Sequence, residues 1–347
     1  MHVLLYSPAF FPSVGGLESF VAMLARQLHE AGDTVTVVCT TAPAGPEPFP
    51  FEVVRSPGPL ELLRRVRACE VFLQANVSLK GLWPLLLVRR PWVVSHHSWY
   101  RQGDGRRTWR DRLKRSLLSR AAASIAVSRA VADDLEVPSV VLENPYRDDL
   151  FRCLPEVERD RELVFVGRLV SDKGCDLLVE ALARLRRRGA APRLTVVGAG
   201  PERERLERMA AEATLPGQVE LTGVLSGERL VEILNRHRIL VVPSRYNEPF
   251  GIVALEGLAC GCAVIGSRGG GLSDAIGPGG WTFPNRDVDA LTDLLERALA
   301  GRLPAPDPAA VEEHLGRHTC RAVAAAYRQV LASARAPART ARPASRP

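Results

Sequence analysis

The chain has 347 residues, 46% of them hydrophobic and 24% charged, which is enough apolar material for two packed α/β domains and excludes a small stapled scaffold. Its seven cysteines are odd in number and scattered, so they read as reduced thiols of a cytoplasmic protein and not as a disulfide framework. The formal charge of +7 and the pI near 9.3 suit anionic partners such as a nucleotide diphosphate, a lipid headgroup or nucleic acid; with no aromatic-basic platform or zinc module, nucleic acid is left only nonspecific binding.

Met1 to Pro8 has no basic n-region and meets a proline soon after its apolar run, so it reads as an edge of the fold rather than a signal peptide. Val3 to Tyr6 is a short apolar strand. A Pro- and Gly-rich loop follows, then a helix from about Leu17 whose Phe20, Val21, Leu24, Ala25 and Leu28 share one face. Gly32 ends that helix and Thr34 to Cys39 is β-branched, giving the strand, loop, helix, strand unit of a parallel sheet covered by helices. Further strands are expected at Val53 to Arg55, Val71 to Gln74, Trp92 to Ser95, Ser124 to Val127 and Val140 to Glu143. The longest apolar run, near Leu82 to Val88, is broken by Pro84 and closed by Arg89 and Arg90, well short of the ~20 residues of a spanning helix. Arg101 to Arg120 is densely basic with Trp109, Leu113, Leu117 and Leu118 interleaved. It fits either a helix lying on an anionic membrane or a solvated helix lining an acceptor cleft.

The segment Asn144 to Arg161, rich in Pro, Asp and Arg and without a period, reads as the interdomain linker. Beyond it, Leu163 to Val166, Arg193 to Val197, Val219 to Leu221, Ile239 to Val242 and Ala263 to Gly266 are five buried strands with helical stretches between them, a second doubly wound domain. The division is therefore 1–145 and 146–318, followed by a helix over 319–333 that packs back on the first domain and a disordered Ala, Arg and Pro tail over 334–347.

The strongest chemical signal is the run Glu248 to Gly257, in which two carboxylates stand eight residues apart around a helix start. After Pro249 and Phe250, the amides of Gly251, Ile252 and Val253 are free to meet an anion, and the helix dipole favours a phosphate there. Glu248 would precede the helix beside a sugar, and Glu256 would lie about a turn into it; the plain alternatives are a capping group and a solvated helix residue. The strand Leu163 to Val166 runs into Gly167, Arg168, Lys173 and Gly174, placing two cations at the carboxyl end of a central strand, where open α/β sheets bind ligands. Opposite a diphosphate they would offset charge on the leaving oxygen, the role other enzymes give to a metal. Gly15 and Gly16 precede the first helix and allow close approach of a phosphate or sugar, or simply a tight turn. His96 and His97 end the strand begun at Trp92, where a histidine could hydrogen-bond a sugar or an acceptor.

These features in this order resemble the retaining family-4 glycosyltransferases with the GT-B fold, over nearly the whole chain. The resemblance implies two Rossmann-like doubly wound domains facing a cleft, with Glu248 by the donor sugar hydroxyls and Glu256 at the nucleotide ribose. It makes Arg168 and Lys173 the diphosphate clamp, Gly16 the glycine near the phosphates, and His97 the histidine near the sugar. Gly198, with Gly200, and Gly223 with Val224 match positions flanking the nucleobase. The implied reaction is metal-independent and cofactor-free: a UDP- or GDP-sugar donates to a saccharide, lipid-linked or small-molecule hydroxyl in polysaccharide or glycoconjugate synthesis. A nucleotide-sugar epimerase and a non-catalytic nucleotide-sugar-binding protein are the competing readings.

Three look-alikes are set aside. Arg203 stands where a dinucleotide fingerprint would need a third glycine after Gly198 and Gly200. Asp287 and Asp289 imitate a metal-binding acid pair but stand at a helix start, where capping is the expected role. Cys260 and Cys262 lack the second ligand pair of a zinc site.

Overall fold

The computed structural model describes residues 1–13, 15–43, 45, 48–100, 107–213, 215 and 217–335. Two compact units result. One comprises Met1–Ala126, Leu135–Leu142 and the chain from Ala324, the other Val127–Asp134 and Glu143–Val323. Most of the tail expected to be disordered, from residue 336 on, lies outside the described residues, as do residues 101–106 of the basic stretch.

The first unit runs β1 (His2–Ser7), α1 (Gly16–Glu30), β2 (Thr34–Cys39), β3 (Glu52–Arg55), α2 (Pro59–Ala68), β4 (Val71–Ala75), α3 (Leu79–Leu82), β5 (Trp92–His96), α4 (Trp109–Leu118), β6 (Ala123–Ala126), α5 (Arg129–Leu135) and β7 (Val140–Val141), although most of α5 is assigned to the other unit. All seven strands are parallel, in the order β3-β2-β1-β4-β5-β6-β7. β4 and β5 are buried along their whole length, and β1 from Val3 on, as expected of a sheet covered by helices on both faces. The apolar stripe of α1 buries Phe20, Val21, Leu24, Ala25 and Leu28, the face its periodicity predicts.

The second unit runs β8 (Arg161–Val166), α6 (Cys175–Arg187), β9 (Leu194–Val197), α7 (Arg203–Glu212), β10 (Val219–Gly223), α8 (Glu228–Arg236), β11 (His237–Val242), α9 (Ile252–Ala259), β12 (Ala263–Ser267), α10 (Leu272–Ile276), β13 (Gly280–Phe283), α11 (Val288–Leu299) and α12 (Pro308–Arg317), and then the start of α13 (Cys320–Arg335). Its parallel sheet has the order β10-β9-β8-β11-β12-β13. Leu163, Phe165, Leu178, Leu182, Val196 and Ile239 are among the side chains that fill its core.

Two elements go beyond the sequence reading. β13 is a sixth strand, hidden in a run of glycines that reads as a loop. α12 begins at the end of the Pro- and Ala-rich stretch 303–308, because Asp307 caps it through the amide of Ala309 (3.2 Å) and Pro308 fits the first turn. Asp287 caps α11 through the amide of Ala290 at 2.9 Å, the role assigned to it above. From Ala324 onward α13 belongs to the first unit. Tyr327 is fully buried with its hydroxyl 2.6 Å from Ser95 Oγ, and Arg328 reaches the buried Asp33 at 2.7 Å. No helix among the described residues is long and apolar enough to cross a membrane.

Both sheets reverse their winding, at β1/β4 and at β8/β11, so the loops leaving these strands diverge and open a crevice at their carboxyl ends. In the second unit the crevice is pulled tight at Gly174. Its φ of +67° is left-handed, and a Cβ there would stand 2.0 Å from the carbonyl oxygen of Pro243, just beyond β11. The same contact is laced by the amide of Arg245, which donates to the carbonyl of Asp172 at 2.8 Å. Only glycine lets these two loops meet. Gly174→Ala is expected to lose about 1–3 kcal/mol through backbone strain alone, read as a lower urea midpoint at unchanged slope.

Candidate functional site

The loop after β8 carries Arg168 and Lys173, and the loop after β11 carries Ser244 to Gly251. Their convergence buries Glu248 to 5% exposure and surrounds its carboxylate with donors. Lys173 Nζ lies 2.7 Å from Oε1, Ser244 Oγ donates to the same oxygen at 2.6 Å, and Tyr246 OH donates to Oε2 at 2.5 Å. Lys173 Nζ also stands 5.3 Å from the centroid of the Tyr246 ring. An ammonium and two hydroxyls thus replace the hydration that burial takes from this carboxylate. Burial and the Glu248 carboxylate together push the Tyr246 phenol far above its ordinary value, so it remains a donor.

Lys173 therefore has a partner that the expected clamp did not include, while Arg168 is exposed and has no ion-pair partner among the described residues. Gly251 caps α9 in a left-handed conformation, and the first amides of that helix, from Ile252 and Val253, have no intrahelical acceptor. Phe250 has a structural task. Its side chain is 2% exposed and stacks on His318 with ring centroids 5.8 Å apart, so it anchors the start of α9 and can offer a donor only its backbone.

Gly198 is likewise explained by packing. Its φ is +147° and a Cβ would stand 1.9 Å from the carbonyl oxygen of Gly167, while its amide donates to the carbonyl of Gly223 at 2.8 Å. The glycine is needed to knit three loops together, whatever binds beside them. Gly223 and Val224 are different: a Cβ on Gly223 would meet nothing, and Val224 is 72% exposed, an apolar side chain left open beside the crevice loops.

Glu256 is half-buried in the second turn of α9. Burial raises the carboxyl to about 7, with the positive charge of Arg147 pulling the other way. Cys260 and Cys262, the pair set aside as a zinc hook, are buried thiols pushed up to about 12 by desolvation, and Cys262 donates to the carbonyl of Leu234 at 3.1 Å.

In the first unit the structure separates the two histidines. His96 is fully buried between Tyr100 OH (2.7 Å) and Ser124 Oγ (3.1 Å), and desolvation lowers it to about 3, so it is a neutral core residue. His97 is half-buried at the carboxyl edge of the sheet. Its Nε2 is 2.8 Å from Ser95 Oγ and its ring centroid is 4.2 Å from that of Phe20. Phe20 lies one turn beyond Gly16, which is exposed, opens α1 and has nothing within reach of a Cβ. Asn76, just past β4 at the switch point and left-handed at φ +62°, accepts the amide of His97 at 2.8 Å.

Sequence reasoning missed Ser244, Tyr246 and Asn76, which carry no motif and acquire meaning only when their loops meet. It also missed Asp176. This buried carboxylate takes Arg245 at 2.6 Å and Arg205 at 3.3 Å, tying the β11 loop to the start of α6 and to α7. Asn285 adds a brace by accepting the amide of Gly269 at 2.7 Å.

The raised Glu256 carboxyl makes stability depend on pH. Its folded-state value of about 7 exceeds the ordinary 4.5, so the neutral form is favoured in the fold. The stability it contributes is complete below about pH 4.5 and is lost as pH rises through about 7. Glu256→Gln is expected to flatten this loss and to melt higher than the parent at pH 8 but not at pH 5, by scanning calorimetry at the two pH values.

Comparison with known proteins agrees with this geometry. The family model for glycosyl transferases group 1 matches residues 147–313, and that for glycosyltransferase family 4 matches residues 14–137. A D-inositol 3-phosphate glycosyltransferase of Mycolicibacterium smegmatis is 32% identical over 228 residues, 61% of this chain and 50% of that protein. A GDP-mannose-dependent alpha-(1-6)-phosphatidylinositol monomannoside mannosyltransferase of the same organism is 35% identical over 164 residues, 45% of this chain and 42% of that one. The chain spans about a third to a half of the length of the curated relatives it matches. Anabaena HepE, solved with UDP, superposes with a TM-score of 0.81 over 96% of this chain and 100% of that one at 17% identity, a likeness of fold. With both sheets, their switch points and the two family models in agreement, the chain belongs to the family 4 glycosyltransferases and has their two-domain, Rossmann-like GT-B fold.

Proposed function

We propose that the chain transfers a sugar from a nucleoside diphosphate donor, UDP- or GDP-linked, to a hydroxyl acceptor, with retained configuration and without a metal ion. The observation that carries this reading is the Lys173–Glu248 pair at the β8/β11 switch point, 2.7 Å apart, with exposed Arg168 and the leading amides of α9 on the loops around it. Cations and amides so placed suit a diphosphate, and the carboxylate suits the hydroxyls of the sugar it carries. Gly223 and Val224 offer an open apolar edge for the base, and Glu256 a carboxyl for the ribose.

In the reaction, the acceptor oxygen attacks the anomeric carbon as the bond to the diphosphate oxygen breaks on the same face, and the acceptor proton passes to that departing oxygen. Arg168 and Lys173 stabilise the charge that builds there. A covalent route through Glu248 is less favoured by its surroundings: both oxygens already accept hydrogen bonds from Lys173, Ser244 and Tyr246, which lowers their nucleophilicity. Acceptors in polysaccharide or glycoconjugate synthesis on the cytoplasmic side, saccharide or lipid-linked, match the reading. A nucleotide-sugar epimerase would instead release an altered sugar still bound to its nucleotide.

Lys173→Ala is expected to lower turnover roughly 10²–10³-fold with the fold retained, while EDTA leaves the parent rate unchanged. Nucleotide release with a panel of UDP- and GDP-sugars measures both, and proton NMR of the product reads the anomeric configuration. Near-normal turnover of Lys173→Ala, or an inverted product, overturns the proposal.

A further inference from the structure

The first unit holds a groove that glycosyl transfer does not use. It measures about 1190 Å³ and is lined by Leu82, Trp83, Leu86, Val88, Trp92 and Leu117, with Arg89, Arg90 and Arg120 among the other residues and no acidic side chain. Trp92 opens β5 and His97 follows its end, so the groove lies at the amino edge of the sheet, about 16 Å of chain away from His97.

Its mouth is greasy and positively charged. Leu86 is 77% exposed, and Arg89 and Arg120 are exposed without an ion-pair partner among the described residues. On α4, Trp109, Leu113 and Leu117 recur every four residues, one stripe that runs from solvent into the groove. Trp109 is 67% exposed, with the Arg110 guanidinium 5.3 Å from the centroid of its ring. Residues 336–347 follow Arg335 at the groove, but that segment has three arginines and no acid, the same sign as the rim, which argues against it as the occupant.

We propose that this groove binds one acyl chain of an anionic phospholipid, with Arg89 and Arg120 meeting the phosphate and the α4 stripe lying in the interface. A single chain gives only marginal membrane affinity, and a chain combined with basic side chains gives stable but reversible attachment. The site is independent of the donor crevice.

The test uses the full chain carrying Trp109→Phe, so that Trp83 and Trp92 report from the groove. Co-sedimentation is measured with vesicles of phosphatidylglycerol and of phosphatidylcholine, and tryptophan fluorescence with phosphatidylglycerol brominated midway along its acyl chains. Expected are binding to phosphatidylglycerol alone, quenching by the brominated chains, and a loss of at least about tenfold in affinity for Leu86→Asp and for the Arg89→Glu/Arg120→Glu double variant. Each variant should keep its thermal shift with UDP or GDP, since these exposed side chains do not support the fold, and deletion of residues 336–347 should change nothing. Equal binding to both lipids, binding without quenching, or loss of binding on deleting the tail overturns the proposal. So does a dimer that Leu86→Asp converts to monomer while vesicle binding persists, which would make a second copy the occupant.

Discussion

A carboxylate shut away from water must be matched, and in this chain the matching of Glu248 organises the loops after β8 and β11. Its partners come from two loops that are distant in sequence, Lys173 after β8 and Ser244 with Tyr246 after β11. Removing one member of a fully buried ion pair typically costs about 3–5 kcal/mol; Lys173 keeps 24% of its side-chain surface, so the cost here is smaller. That remaining surface has a use. In the proposed reaction, a cation already oriented by Glu248 and still reachable from solvent would meet an incoming phosphate without the entropic cost of ordering a long side chain.

The pair is held by a frame that contains no ligand-facing group. Asp176 at the start of α6 binds Arg245 through both oxygens and Arg205 through one, so the β11 loop is fastened at a point one residue beyond Ser244. Gly174 lets the two loops touch, and the Arg245 amide seals them. The hydrogen bonds around Glu248 and the ion pairs around Asp176 share the segment 244–248, so strain at one is felt at the other. Such a frame explains how a site made of loops can be preorganised: its loops are short and cross-braced, and they leave adjacent strands of one sheet.

Much of the fold was legible because strands covered on both faces must be largely apolar, and β1, β4, β8 and β11 show that pattern at Val3–Tyr6, Val71–Leu73, Leu163–Val166 and Ile239–Val242. β13 escaped because an edge strand needs fewer apolar residues, and its Gly-Trp-Thr-Phe follows glycines that signal a turn. The ionic parts of the site were legible because a cation or a carboxylate beside a strand end has few cheap explanations. Ser244, Tyr246 and Asn76 were not, since a hydroxyl or an amide in a loop is ordinary until its partner is known. Phe250 and Gly198 have a packing role that their motifs do not announce. Each belongs to a recognisable motif, yet the contact that requires it is internal: His318 for the ring and Gly167 for the glycine.

The choice between His96 and His97 shows how a sheet sorts adjacent residues. Successive side chains on a strand point to opposite faces, so at the end of β5 one imidazole is driven into the core between Tyr100 and Ser124. The next emerges beside α1 and is fixed through Ser95 to Tyr327 of the C-terminal helix. His97 is thus oriented by residues more than two hundred positions away, and α13 becomes part of what holds the imidazole. At the opposite end of the same strand Trp92 is buried with an unmet N–H. One short parallel strand therefore presents a poised polar group at its carboxyl end and an apolar recess at its amino end. The geometry separates a site suited to chemistry from one suited to attachment.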